Sequence, residues 1–108
     1  MKEKIVVRSG DAGFEPSKIP GVRFKALRAT ERNAGTYLVR MDPGTSYPPH
    51  LHPGGEEVWV VEGTLRVGGD NLAAGDYMYT PPGGAHDAST KEGCTFLVIV
   101  PAPVKFLD

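Results

Sequence analysis

Short runs of apolar and β-branched residues, separated by turn residues, make up most of the chain. The runs are Lys4–Arg8, Val22–Leu27, Thr36–Met41, Glu57–Val61, Thr64–Val67, Tyr77–Thr80 and Thr95–Val100. Apolar and polar residues alternate within several of them, as in Val22–Ala26, and this period of two is typical of half-buried strands. Many short strands with frequent turns between them predict an all-β sandwich or barrel.

One stretch leaves room for a helix. Residues Val22–Ala34 contain neither glycine nor proline, and their Ala, Leu, Arg and Glu residues are compatible with a helix. We favour a strand through Leu27 that is followed by a turn. Glycine, proline, asparagine and aspartate mark further turns. These turn segments are Asn33–Gly35, Asp42–Gly44, Pro53–Gly55, Glu62–Gly63, Gly68–Asn71 and Pro81–Gly84.

Length, charge and composition limit the class of protein that the sequence can encode. A chain of 108 residues predicts a single domain spanning residues 1–108. Twelve basic and thirteen acidic residues leave a net charge of −1 without a basic cluster, so we expect no nucleic-acid partner. No apolar run approaches the length that spans a bilayer, so we expect no membrane partner. The lone Cys94 and the lack of a signal peptide predict a cytoplasmic protein.

The three histidines of the chain fall in two short segments. His50 and His52 are two residues apart, so on a strand both imidazoles project to the same face. His86 follows the predicted turn Pro81–Gly84, which redirects the chain. Imidazole nitrogens and carboxylate oxygens are the usual protein ligands of divalent transition metals. Taken together, the two segments predict one metal site.

A carboxylate is available beside the histidine pair. Glu56 comes four residues after His52, a spacing that suits a tight return, and it shares its strand face with Val58 and Val60. The adjacent Glu57 projects to the other face and is the alternative fourth ligand. Three neutral imidazoles and one carboxylate would leave two positions on an octahedral ion for water, a substrate or dioxygen.

The spacing in both segments resembles the two motifs of the cupin superfamily, G-x5-H-x-H-x3,4-E-x6-G and G-x5-P-x-G-x2-H-x3-N. The first motif covers residues 44–63 and matches at Gly44, His50, His52, Glu56 and Gly63. The second covers residues 75–90 and matches at Gly75, Pro81, Gly83 and His86, with Thr90 in place of the final Asn. The resemblance implies a jelly-roll β-barrel, or double-stranded β-helix, that holds a divalent transition metal such as Fe, Mn, Zn or Ni. The ligands that it implies are His50, His52, Glu56 and His86.

Two cupin types are similar in more detail, over Pro49–Val58 and Pro81–His86. Similarity to the acetylacetone-dioxygenase type implies a metal-dependent enzyme, a dioxygenase or an isomerase, that acts on a small oxygenated molecule. That type holds iron with histidines alone, so Glu56 is a departure. Similarity to the ChrR anti-sigma-factor type implies instead a non-catalytic module that senses a metal or a ligand. In that type a zinc-binding cupin is joined to a helical domain that binds a sigma factor, and this sequence predicts no such domain.

Aromatic residues that are not fixed positions of the motifs indicate packing more than chemistry. Trp59 is expected to point away from the ligand face, in packing or at a dimer contact. We interpret the tyrosines as core or subunit-interface residues, with contribution of phenol groups to the cavity as the alternative. They are Tyr37, Tyr47, Tyr77 and Tyr79.

Small open sandwiches tend to cover their sheet edges by association, so we expect a homodimer. Cys94 and Asp76 are interpreted as a buried apolar residue and a turn residue.

Overall fold

The structure, a computed structural model, describes residues 3–11, 13–31 and 33–107. Every regular element in these ranges is a strand, and the strands curl into a jelly-roll barrel, which confirms the predicted fold class. They are β1 (Glu15–Pro16), β2 (Val22–Glu31), β3 (Ala34–Met41), β4 (Ser46–His52), β5 (Glu56–Val67), β6 (Asp70–Ala73), β7 (Tyr77–Thr80), β8 (Gly84–Ser89), β9 (Cys94–Val100) and β10 (Lys105–Phe106). The described residues include no helix with the length and apolar character needed to cross a membrane.

The long strand β5 belongs to both sheets of the barrel. Paired strands follow the order β1-β2-β3-β9-β5-β8-β4-β10, and β6 and β7 also pair with β5. All of these pairings are antiparallel. Residues Glu56–Trp59 pair with β7, and residues Glu57–Val60 pair with β9 on the other side. Arg66 and Val67 pair with β6 and β8. Because one strand serves both sheets, the walls of the barrel stay joined.

Alternate side chains from these strands fill the barrel. Glu56, Val58 and Val60 are buried on the inner face of β5, whereas Trp59 is exposed on its outer face, as predicted from the period of two. Burial of each Val, Leu or Phe side chain contributes about 1.5–3 kcal/mol to folding. The core cluster consists of Val22, Val39, Met41, Val58, Val60, Leu65, Val67, Ala88, Cys94, Phe96, Val98 and Val100.

The predicted turn at Glu62–Gly63 is wrong. Strand β5 continues through it without interruption, with a register shift against β9 between Val60 and Glu62. Gly63 has a φ of 77°, and a Cβ there would lie 2.8 Å from the Cα of Cys94. The glycine therefore marks an irregularity where two backbones approach closely, which the sequence pattern does not distinguish from a turn.

Two predictions near the N-terminus also fail. Val22–Glu31 is neither a helix nor a strand ending at Leu27, because pairing with β3 carries β2 on to Glu31 through register shifts after Ala26 and Ala29. The apolar run Lys4–Arg8 is not a strand, since it pairs with no strand among the described residues. Tertiary pairing thus overrides local sequence preference in both places.

Candidate metal centre

Strands β4 and β8 place the three histidines together. In their antiparallel pairing His50 lies directly opposite His86, and His52 lies opposite Gly84. The imidazole of His52 has no solvent exposure, and that of His50 is nearly as buried. The predicted sharing of one strand face by His50 and His52 is therefore found, and the His86 ring arrives beside them from the neighbouring strand.

The turn between β4 and β5 brings Glu56 to the same place. The amide of Gly55 donates to the carbonyl of His52 at 3.1 Å, and the amide of Gly83 donates to the same oxygen at 2.8 Å. Gly55 has a φ of 82°, and a Cβ there would meet the carbonyl oxygen of Thr80 at 2.8 Å. The carbonyl of His52 thus ties together the turns that lead to Glu56 and to His86.

The ligand atoms of His50, His52, Glu56 and His86 all lie within 4.8 Å of one another. The Nε2 atoms of His52 and His86 are 3.1 Å apart. Oε1 of Glu56 is 3.5 Å from Nε2 of His52 and 3.3 Å from Nε2 of His86. Ligands that share an ion at about 2.0–2.2 Å are separated by about 3–4 Å, so the spacing of His52, Glu56 and His86 matches one ion. His50 lies within the same cluster. The sequence-predicted residues are thus brought together.

Glu57, the alternative ligand, lies elsewhere. Its carboxylate accepts a hydrogen bond of 2.7 Å from the hydroxyl of Tyr77 on the outer face of the barrel. Since Glu56 occupies the inner face of the same strand, only one of the two adjacent carboxylates reaches the histidines.

Burial favours the neutral form of His50 and His52, which is the form that binds metals. Desolvation lowers the pKa of His52 to about 4, and desolvation is also the main cause that lowers the pKa of His50. Nδ1 of His50 is 2.7 Å from the carbonyl oxygen of Pro48, which accepts a hydrogen bond from the Nδ1–H group and leaves the Nε2 lone pair free. Nδ1 of His52 is buried without a hydrogen-bond partner among the described residues. The protein therefore sets the tautomer of His50 but not that of His52.

The chemistry of this donor set suits a divalent cation. Imidazole nitrogens and a carboxylate oxygen converge at 3.1–3.5 Å inside the barrel. Nitrogen and oxygen donors at such distances can bind one divalent cation together. A metal ion would also compensate the buried charge of Glu56.

A cavity of about 660 Å³ opens beside the four residues, and His50, Glu56 and His86 form part of its wall. Small-molecule sites are typically apolar concavities of about 300–1,000 Å³ with a few polar groups. The rest of the wall is largely aliphatic and aromatic. These apolar residues include Ile19, Phe24, Val39, Val58, Leu65, Val67, Ala88, Phe96, Val98, Val100, Val104 and Phe106.

The family profile described as the ChrR cupin-like domain matches residues 2–102. The chain belongs to this cupin family. DNA damage-repair/toleration protein DRT102 of Arabidopsis thaliana is 32% identical over 92 residues. That alignment covers 79% of this cupin and 29% of the plant protein, so the chain spans less than a third of that relative.

Solved structures share the fold of this cupin. Acetylacetone dioxygenase from Acinetobacter johnsonii superposes with a TM-score of 0.80 at 19% identity, over 100% of this chain and 79% of that one. The polyketide cyclase RemF from Streptomyces resistomycificus gives 0.79 at 25% identity, covering 100% and 87% of the two chains. The anti-sigma factor ChrR, in complex with Rhodobacter sphaeroides SigE, gives 0.70 at 26% identity, covering 84% and 49%. Proteins of different activity therefore share this barrel.

Two tyrosines line the cavity of this cupin. Tyr47 packs edge-on against His50, with ring centroids 4.7 Å apart, and stacks on Phe106 at 5.7 Å. Burial, with a further contribution from Glu56, raises the pKa of Tyr47 to about 12. Tyr37 also contributes to the wall and donates to the carbonyl of Ala34 at 3.1 Å. For these two tyrosines the cavity alternative is correct.

Sequence reasoning missed Phe106 and could not place Tyr47. Tyr47 lies three residues before His50, a spacing that would put it on the opposite strand face. A register shift of β4 against β8 between the two residues restores it to the cavity. Phe106 reaches the site because β10 returns to pair with β4, opposite His50. Neither effect leaves a local signal in the sequence.

Thr90, which replaces the final Asn of the second motif, is held by two hydrogen bonds. Its hydroxyl donates to the carbonyl of Thr64 at 2.6 Å and accepts from the amide of Gly93 at 2.9 Å.

Cys94 is buried, as predicted, and burial raises its pKa to about 11. Asp76 accepts a hydrogen bond from the amide of Ala73, which confirms its assignment as a turn residue.

Proposed function

We propose that the protein is a mononuclear metal-dependent enzyme of dioxygenase-like type that acts on a small oxygenated molecule. The proposed ligands are His50, His52, Glu56 and His86. The observation that carries this proposal is the cavity, since side chains of the ligand cluster form part of its wall. Catalytic metal sites keep a position open to substrate, whereas structural sites are closed by protein ligands.

A divalent ion held there would supply Lewis acidity and, if redox-active, chemistry with dioxygen. The chain itself provides the position and the surroundings of the substrate. The largely apolar wall excludes water and suits a substrate with an apolar body and an oxygen-bearing end. The phenol of Tyr47 stays protonated at neutral pH because its pKa is about 12, so it can donate a hydrogen bond to a substrate oxygen. Glu57 cannot serve as a base in the cavity, because it faces outward.

An alternative function is a non-catalytic module that senses a metal or a small ligand. Membership of the ChrR cupin-like family and the structural similarity to ChrR support it. Both functions share the ligand cluster and the cavity. They differ in turnover, because a sensor binds its ligand unchanged whereas an enzyme converts it.

The shared metal site can be tested by elemental analysis of the freshly purified protein. We expect about one divalent ion per chain, and much less in His50→Ala and His86→Ala. Asp87→Ala provides a matched control, since Asp87 is the exposed neighbour of His86. Undiminished metal in both histidine variants would contradict the assignment of the ligands.

Turnover distinguishes the two functions. The protein reconstituted with Fe(II) is mixed with diketones and hydroxyketones, and dioxygen uptake is followed with an electrode. We expect uptake with at least one compound and none with His86→Ala. A protein that holds a full complement of zinc and converts nothing after reconstitution with iron would favour the sensor.

A further inference from the structure

The wall of the cavity carries one lysine besides the candidate metal ligands. Among the described residues of the wall, Lys18 is the only lysine or arginine, and Glu56 is the only aspartate or glutamate. Glu56 belongs to the ligand cluster, where a divalent ion would compensate its charge. The positive charge of Lys18 is therefore left without a negative partner in the wall.

Lys18 lies in a turn whose backbone is fixed by Ser17. The hydroxyl of Ser17 accepts from the amide of Ile19 at 3.0 Å and donates to the carbonyl of Val22 at 2.7 Å. The amide of Val22 donates in turn to the carbonyl of Ile19 at 3.1 Å, and the side chain of Ile19 packs against the core. Because both neighbours of Lys18 are anchored, its ammonium is confined to the region around the turn.

This turn lies against the connection between β3 and β4. The amide of Asp42 donates to the carbonyl of Gly21 at 2.9 Å, and a Cβ at Gly21 would overlap the methyl group of Thr45. Two residues after Thr45, the ring of Tyr47 packs on His50. The turn therefore meets the chain before Tyr47, and the ligand cluster begins after it. Lys18 and the ligand cluster thus belong to separate parts of the cavity wall.

The ammonium of Lys18 is available to an anion from outside the protein. The side chain is exposed, and in the part of the chain that the structure describes it belongs to no ion pair. Two neighbouring basic residues differ in this respect. Arg23 pairs with Asp42 at 2.7 Å, and the buried ammonium of Lys25 lies 3.5 Å from the carbonyl oxygen of Ser9.

The body of the cavity suits an apolar molecule of moderate size. Its volume of about 660 Å³ holds at most about 20 non-hydrogen atoms, if each takes up about 30 Å³, the share of one water molecule in the liquid. Phe24, Val39, Phe96 and Val98 are among the apolar side chains of the wall. A carboxylate placed against them would lose its hydration without gaining a partner, which is unfavourable. The charged end of a ligand is therefore expected at the exposed ammonium, and its apolar body among these side chains.

We propose that the substrate is an apolar carboxylic acid, whose carboxylate pairs with Lys18 while its oxygen-bearing reacting group lies at the ligand cluster. This substrate class rests on the proposed function, which makes the cavity the substrate site. The reverse orientation would place the carboxylate at the ligand cluster and the apolar end of the molecule beside an exposed ammonium. That arrangement leaves the charge of Lys18 unused, and a substitution of Lys18 distinguishes the two orientations.

A matched pair of ligands tests the preference for an anion. The full chain loaded with Zn(II) is titrated calorimetrically with a β-diketone whose alkyl chain ends in a carboxylate, and with the methyl ester of the same compound. We expect the acid to bind about fivefold more tightly, since a contact between partly exposed charges is modest. The difference should shrink at high ionic strength, because salt screens such a contact. Equal affinities of the acid and the ester at low salt would overturn the proposal.

Substitutions assign the preference to one side chain. Lys18→Gln should make the acid and the ester bind alike, and Lys18→Glu should make the ester the tighter ligand. Lys105→Gln is the matched control, because Lys105 is exposed next to Phe106 of the wall without being part of the wall. Metal content and far-UV circular dichroism should stay unchanged in all three variants. An acid that keeps its full advantage in Lys18→Gln would overturn the proposal, since its carboxylate would then meet the ligand cluster.

Failure of this inference and failure of the proposed function give different results. Titration of the zinc-loaded protein reports binding alone, whereas dioxygen uptake by the Fe(II) protein reports turnover. A preference for the acid that depends on Lys18, without turnover of either compound, would contradict the enzyme and support the inference for a sensing module. Turnover of both compounds without any preference would contradict the inference and support the enzyme.

Discussion

The inner and outer faces of β5 carry similar side chains in different surroundings. On the inner face Oε1 of Glu56 lies 3.3 Å from Nε2 of His86, beside the cavity. On the outer face the carboxylate of Glu57 accepts a hydrogen bond from the phenol of Tyr77, and Trp59 is half exposed. Adjacent glutamates on one strand therefore take different roles, because the pleat sends them to opposite sides. The same substitution made on each face measures how far the two surroundings differ.

The largest expected difference is in metal binding. Glu56→Ala should weaken metal affinity by more than about 100-fold, since loss of an outer-sphere partner alone typically costs about 10–100-fold. Glu57→Ala should leave the affinity within about twofold, because its carboxylate is bonded to Tyr77 away from the cluster. Titration with a competing chelator measures both. A loss of metal in Glu57→Ala equal to that in Glu56→Ala would remove the distinction between the faces.

The next largest effect is the pH dependence of the metal-free protein. In the folded protein His52 has a pKa of about 4, whereas an unperturbed histidine has a pKa of 6.5. Between these two pH values the unfolded chain is protonated at His52 and the folded chain is not, so protonation favours unfolding. Stability should fall as the pH drops from about 6.5 to about 4, by up to about 3 kcal/mol from this residue. Urea unfolding at several pH values measures the slope. His52→Gln should show a smaller slope, and an identical slope would contradict this assignment.

A matched pair of valines tests packing on the two faces. Val60 has no exposed area, and its neighbour Val61 is 53% exposed. Val60→Ala should lower the free energy of unfolding by about 2 kcal/mol, because it removes buried methyl groups and leaves a void. Val61→Ala should change it by less than about 0.5 kcal/mol. Chemical denaturation at a concentration where the protein is monomeric gives both values, and equal losses would show that β5 is covered on both sides.

The smallest effect is expected for the tyrosines. Tyr47→Phe should weaken substrate or ligand binding by about 0.5–1.5 kcal/mol, the value of one hydrogen bond, and leave the metal content unchanged. Tyr79→Phe should change neither quantity, since Tyr79 lies on the outer face. Calorimetric titration with a cavity ligand distinguishes them. An equal effect of both substitutions would exclude a direct contact from Tyr47.

Local patterns were sufficient for much of the fold and the site. The period of two within β5 predicted that Glu56 faces inward and Trp59 outward, because side-chain direction on a strand depends only on neighbouring residues. The same rule placed His50 and His52 on one face. The spacing of the two motifs predicted that His86 joins the same cluster, and the four side chains lie together in the structure. Their role as metal ligands stays a prediction.

Tertiary structure alone decided several other features. Gly63 lies in a continuous strand and not in a turn, since Glu62 and Gly63 pair with Thr95 and Cys94 of β9. Tyr47 joins the cavity wall through a register shift, and Phe106 joins it through the return of β10. The first run, Lys4–Arg8, has strand-forming residues and no strand to pair with. Pairing between distant segments depends on the rest of the barrel, so a local period of two carries no information about it.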